Sequence, residues 1–218
     1  MIFGTFHKTG TYILSETLRV YNLLGSKSGS EPIKYRFFDS IDDAGSDLEK
    51  NNSTCLIRHP FEVIMSGMRY HQKCVEEQWL VEDILECGNG KETYQEKINS
   101  LNGLDGKILF EMIHCGQDTV SRMLKVAENY PKCLTVKLED FVSDPETVAN
   151  SISSHMTLDS DILERAINRV LGWSDFGHQT HGNACDFTYK THFKDFHYMA
   201  SECLFPVKKT LDILGYSK

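Results

Sequence analysis

Short apolar runs and longer stretches of helical period alternate along this chain. An apolar run from Met1 ends at Phe6, and a polar turn from His7 to Thr11 leads into a helix expected from Tyr12 to Leu24. Ile33–Phe38 reads as a second strand and Thr54–Arg58 as a third. Pro60 to His71 reads as a helix, because Pro suits the first turn and Val63, Ile64 and Met65 start an apolar face. Gln72 to Gly106 is polar and mixed and is expected to be helical in pieces, with a break at Gly88-Asn89-Gly90. Leu109, Met112, Ile113, Val120, Met123, Leu124 and Val126 give Ile108–Asn129 a helical period. Cys133–Leu138 reads as a fourth strand, and Pro145–Met156, Asp159–Leu171 and Ser201–Leu214 as helices. A long loop, Gly172 to Phe187, carries glycine and histidine. Strands alternating with helices predict one α/β domain over residues 1–218, built as three layers around a central parallel sheet.

Such sheets bind ligands beyond the carboxyl ends of their strands. Lys8, Asp39 and Arg58 each follow or end one of three successive strands, which predicts that they share one crevice. Lys8-Thr9-Gly10-Thr11 joins a cation and two hydroxyls to a helix start, where unpaired N–H groups and the helix dipole favour an anion. Gly10 permits close approach of the backbone, and the N–H groups of Thr9 to Thr11 are candidates for an anion-binding nest. Lys8 precedes the glycine, so this is not a Walker A loop. Arg58-His59-Pro60-Phe61-Glu62 makes a second such junction. Arg58 there reads either as an anion ligand or as the structural partner of Glu62. Two anion sites predict a ligand with two separated phosphate-like ends.

Together the two segments resemble the sulfotransferases that use 3′-phosphoadenosine 5′-phosphosulfate (PAPS). Lys8, Thr9, Gly10 and Thr11 match that family's 5′-phosphosulfate loop, K-S/T-G-T, in its HKTGT form. Arg58, Pro60, Glu62 and Ser66 match its 3′-phosphate element, R-x-P-x-D/E-x-x-x-S. Val136-Lys137-Leu138-Glu139-Asp140-Phe141, with Asp144-Pro145-Glu146 after it, is similar to the family's late strand and its sequel. His181-Gly182-Asn183-Ala184-Cys185-Asp186-Phe187 is loosely similar to its C-terminal RKGxxGDW segment, with Thr180 and His181 in place of the Arg and Lys.

The resemblance implies a P-loop NTPase-like sulfotransferase fold and transfer of a sulfuryl group from PAPS to a hydroxyl of a small molecule or glycan, releasing 3′-phosphoadenosine 5′-phosphate (PAP). It assigns the nucleotide to His7, Lys8, Thr9, Gly10, Thr11, Tyr12, Arg58 and Ser66, with His181, Gly182 and Lys190 from the C-terminal part. Lys8 would meet the charge that grows on the leaving phosphate. The acceptor hydroxyl needs a base. Asp39 is the first candidate, from its strand-end position between the two motifs, with a turn cap as its structural alternative. His71 and His7 are the rivals: His71 also suits a helix C-terminus, and His7 also suits a role in orienting the loop. A P-loop-like kinase and a non-catalytic nucleotide-binding protein remain as alternative functions.

Composition narrows this further. The 218 residues hold 23 basic and 31 acidic side chains, a formal charge of −8, which argues against a nucleic-acid partner. No apolar run approaches the roughly twenty residues of a membrane span. The first strand begins almost at Met1, so no signal peptide is expected. Seven scattered cysteines without a C-x-x-C pattern read as reduced thiols of a cytoplasmic protein. No metal site is expected, although His178, His181, His192 and His197 cluster in the last third.

Overall fold

The computed structural model describes residues 1–26, 32–38, 45, 48–49, 52–74, 77–81, 84–87, 90–173 and 206–217. Strands β1 (Ile2–Thr5), β2 (Lys34–Phe37) and β3 (Ser53–Ile57) lie near their expected places. Both β1 and β3 are buried at every position, as near-continuous apolar runs of a parallel sheet should be. With β6 (Cys133–Lys137) they form a four-stranded parallel sheet in the order β2-β1-β3-β6.

Successive side chains of a strand point to opposite faces. Phe3 and Leu56 therefore enter one core, with Leu14, Leu18, Phe141, Ile152, Leu163 and Ile167. That core is closed by α1 (Thr11–Gly25), α7 (Leu138–Ser143), α8 (Pro145–Met156) and α9 (Ser160–Leu171). Ile2, Cys55 and Ile57 enter a second core with Phe6, Val63, Val120, Met123 and Val126. It is covered by α2 (Pro60–His71) and α6 (Gln117–Asn129). The central strands β1 and β3 are thus buried on both faces, while β2 is an exposed edge. Within the second core, on neighbouring strands, Cys55 Sγ lies 3.1 Å from Cys133 Sγ, both as free thiols.

A third apolar cluster joins α2 to α3 (Gln78–Val81), α4 (Tyr94–Ser100), α5 (Gly103–Glu111) and α10 (Val207–Ile213). Among the described residues, no helix is long and apolar enough to cross a membrane.

Four local expectations need correction. Residues expected to be helical in pieces include an antiparallel pair, β4 (Ile84–Cys87) with β5 (Gly90–Thr93). Gly88-Asn89-Gly90 between two short runs is a hairpin signal rather than a mere break. The helix expected over Ile108–Asn129 begins earlier, at Gly103, and is interrupted by a π-helical turn, Met112–Gly116. The extra residue in such a turn rotates α5, on its N-terminal side, relative to α6 on the other, so Ile113 is 45% exposed while Phe110 and Met112 are buried. Leu138 opens a short helix instead of ending the strand. The last helix starts at Val207, and residues 201–205 of the expected span lie outside the described residues.

Candidate anion and proton-transfer site

The turn after β1 is built by its own hydrogen bonds. Phe6 N donates to Thr9 Oγ1 at 2.9 Å, while Thr9 N and Thr9 Oγ1 both donate to Phe6 O, at 3.2 and 3.0 Å. Thr11 Oγ1 donates to the same carbonyl at 3.3 Å. Thr9 is fully buried, so its hydroxyl and N–H, both expected to face an anion, instead hold the turn closed. Among the described residues the N–H groups of Gly10 and Thr11 take no acceptor and stand free at the start of α1. The tight path needs two left-handed residues, Lys8 at φ 59° and Gly10 at φ 96°. A Cβ at Gly10 would come within 2.9 Å of both Leu56 and Leu138, which explains the glycine.

Lys8 Nζ rests 2.8 Å from the centroid of the Tyr70 ring, held by the ring's negative face. Burial pushes its pKa down from 10.5 to about 8, against a smaller upward pull from Glu77. Glu77 accepts from Tyr70 Oη at 2.9 Å and from Trp79 Nε1 at 2.6 Å, so it is occupied while it faces the lysine.

Arg58 leaves β3 beside this turn. It is 8% exposed. Its Nη2 lies 3.3 Å from Glu62 Oε2, the ion pair allowed for on sequence grounds, and its Nη1 donates to Lys8 O at 3.5 Å. Its Nε is buried without a hydrogen-bond partner, a costly state for a guanidinium donor. The next residue, His59, donates its N–H to Glu139 Oε1 at 2.9 Å, and Tyr216 Oη donates to Glu139 Oε2 at 2.8 Å. Burial beside Arg58 and Lys137 lowers the His59 pKa to about 4. Ser66 is half-buried further along α2, and no hydrogen bond joins it to Arg58.

A second group of side chains lies behind Lys8. His7 Nε2 is 3.1 Å from His71 Nε2, and the two rings are inclined by only 15°. On its other side His71 Nδ1 lies 2.8 Å from Glu111 Oε2, which also accepts from Tyr94 Oη at 2.9 Å. His71 and Glu111 are 0% and 1% exposed. His7 is held well below the ordinary histidine pKa, first by burial and then by Lys8, His71 and Arg122. The three histidine and lysine candidates, His7, Lys8 and His71, are therefore one assembly. His71 faces inward to a carboxylate, which a helix-end role alone does not require.

His71, Glu111 and Cys115 place ligand atoms within 4.8 Å of one another, a spacing a metal ion would accept. The chemistry fits a hydrogen-bonded cluster better. Burial and the Glu111 carboxylate push the Cys115 thiol up to about 12, which keeps it protonated within the cluster. Glu111 Oε2 already accepts two hydrogen bonds.

Asp39, His181, Gly182 and Lys190 lie outside the described residues. Sequence reading missed Glu111, Tyr94, Tyr70 and Glu77. For Glu111 a signal existed: a lone carboxylate inside Ile108-Leu109-Phe110-Glu111-Met112-Ile113. No family model matches the chain, and a search of curated proteins returns no match.

Proposed function

We propose that this protein is a PAPS-dependent sulfotransferase with a P-loop-like sulfotransferase fold, moving a sulfuryl group to a hydroxyl of a small molecule or glycan. The observation that carries the reading is the adjacency of two cationic strand ends. On neighbouring parallel strands, Arg58 Nη1 donates to the backbone carbonyl of Lys8 itself. A nucleotide carrying a 5′-phosphosulfate and a 3′-phosphate offers one anionic end to each.

Lys8 and the free N–H groups of Gly10 and Thr11 would meet the 5′ end. The sulfur must lie in line between the acceptor oxygen and the bridging oxygen, and Lys8 would stabilise the charge that grows on the latter. Arg58 brings a planar fork and a spare Nε–H to the 3′-phosphate. Its ion pair with Glu62 would then orient the fork, with Ser66, His181, Gly182 and Lys190 as further nucleotide contacts. A cytoplasmic location accords with the free thiols of Cys55, Cys74, Cys115 and Cys133.

The direct test is release of PAP from PAPS on incubation with hydroxyl-bearing small molecules and glycans. Acceptor-dependent release supports the reading. Binding of PAP without release to any acceptor would support a non-catalytic nucleotide-binding protein instead.

A further inference from the structure

We propose that His7 is the general base of this reaction and that Glu111, acting through His71, holds His7 in the tautomer that can take a proton. The chemical step rests on the sulfotransferase reading, whereas the tautomer rests on geometry alone.

An ionised carboxylate only accepts hydrogen bonds. Glu111 Oε2 lies 2.8 Å from His71 Nδ1, so that nitrogen carries the proton. A neutral imidazole has one N–H, which leaves His71 Nε2 bare. That bare nitrogen is 3.1 Å from His7 Nε2. Two bare nitrogens would repel there, so His7 carries its proton on Nε2. Its Nδ1 is consequently bare, and among the described residues it has no hydrogen-bond partner.

The support behind this chain is built for it. Tyr94 Oη donates to the same carboxylate oxygen at 2.9 Å, which fixes that oxygen in place against His71. The π-helical turn comes directly after Glu111, a device often found at functional sites. His7 is adjacent in sequence to Lys8, so the proposed base and the proposed leaving-group cation sit on consecutive residues. Among the described residues, the charged and titratable groups around His7 are Lys8, His71 and Arg122, with Glu111 behind His71, and burial keeps its ring neutral near pH 7.

In the transfer, the acceptor O–H proton moves to His7 Nδ1 as the acceptor oxygen bonds to sulfur. The bond from sulfur to the bridging oxygen breaks, and its electron pair leaves with the phosphate of PAP. The resulting imidazolium is stabilised through His71 by Glu111 and later loses its proton to solvent. His7 touches the reacting atoms, while His71 and Glu111 are positioning residues.

Nitrogen-15 NMR of the ligand-free protein reads the tautomers directly. Wild type is expected to show His71 protonated on Nδ1 and His7 on Nε2. In Glu111→Leu no acceptor faces His71 Nδ1, so His71 is expected to lose its single tautomer and His7 to lose its own with it. Its kcat is expected to fall by about 10²–10⁴-fold with little change in KM, as for loss of a base. The opposite tautomers in wild type, or unchanged tautomers in a folded Glu111→Leu, would overturn the proposal. So would a Glu111→Leu enzyme with full kcat, or loss of activity in Asp39→Asn alone. Because the wild-type spectrum needs no variant, a misfolded Glu111→Leu does not rescue the idea. A wild type that transfers nothing removes the reaction, and the base with it, while the tautomers are still read independently.

Discussion

Gly67 and Glu111 share one space: a methyl group on Gly67 would overlap Glu111 Oε1. The glycine lies within α2, four residues before His71, and its missing side chain lets the carboxylate reach the histidine. Gly67→Ala is expected to displace Glu111 and break its bonds to His71 and Tyr94. Overpacking a filled site costs ~1–3 kcal/mol, although alanine improves helix propensity by up to about 1 kcal/mol. Chemical denaturation should show net destabilisation, and NMR should show a disturbed His71 ring. A variant as stable as wild type with an unchanged His71 spectrum would mean that Glu111 is not held as described.

Gly10→Ala probes the other end of the site. Gly10 sits at φ 96° with Leu56 and Leu138 against its missing side chain. A non-glycine residue forced into such a conformation costs about 1–3 kcal/mol. The variant is expected to lose that stability and to bind PAP more weakly, because the turn that presents the Gly10 and Thr11 N–H groups must shift. Unfolding curves and PAP titrations check the two effects, and undiminished PAP affinity would remove this turn from the nucleotide site.

Lys8 links pH to both stability and binding. Its folded pKa is about 8 against an ordinary 10.5, so the unfolded chain holds more protons between those values. Stability from this group therefore rises with pH across that window and is lowest below about 8. A bound phosphate should return the proton. At about pH 8.5, where a phosphate monoester with its second pKa near 6 is already fully ionised, PAP binding is expected to take up protons. Calorimetry in buffers of different ionisation enthalpy measures this, and net release would contradict it. Lys8→Ala is expected to abolish the uptake and to raise the transfer barrier by on the order of 3 kcal/mol while weakening PAP binding less. Near-normal kcat in Lys8→Ala would sink its assigned role.

Much of the frame was legible before folding because its signals are local. The apolar run into Arg58 and then Pro60 marks the end of β3 and the start of α2, and the structure begins that helix at Pro60 and ends it at His71. The helix read over Pro145–Met156 is found there, and that read over Asp159–Leu171 starts one residue later, at Ser160, with Asp159 as its cap accepting from Ile162 N. What stayed hidden depends on contacts between distant segments or on irregular backbone. His7 and His71 are 64 residues apart, and nothing in the spacing of either predicts that their rings meet. The π-helical turn breaks the 3.6-residue period on which the Ile108–Asn129 reading relied, which is why Ile113 was misplaced and Glu111 overlooked. Thr9 looked like a phosphate ligand from its neighbours, and only the closed turn shows its hydroxyl spent on Phe6.

Arg58 decides the central question, because it is both an ion-pair partner of Glu62 and the proposed ligand of a 3′-phosphate. PAP and ADP differ in that the latter lacks the 3′-phosphate. A site built to bind a group is left unpaired by an analogue without it, which costs several kcal/mol. The most direct measurement is calorimetric titration of wild type and Arg58→Ala with PAP and with ADP. Wild type is expected to prefer PAP by at least about tenfold, which corresponds to about 1.4 kcal/mol, and Arg58→Ala to lose most of that preference. Equal affinity of wild type for PAP and ADP, or tight binding of Mg-ATP alone, would contradict the sulfotransferase reading and favour a kinase.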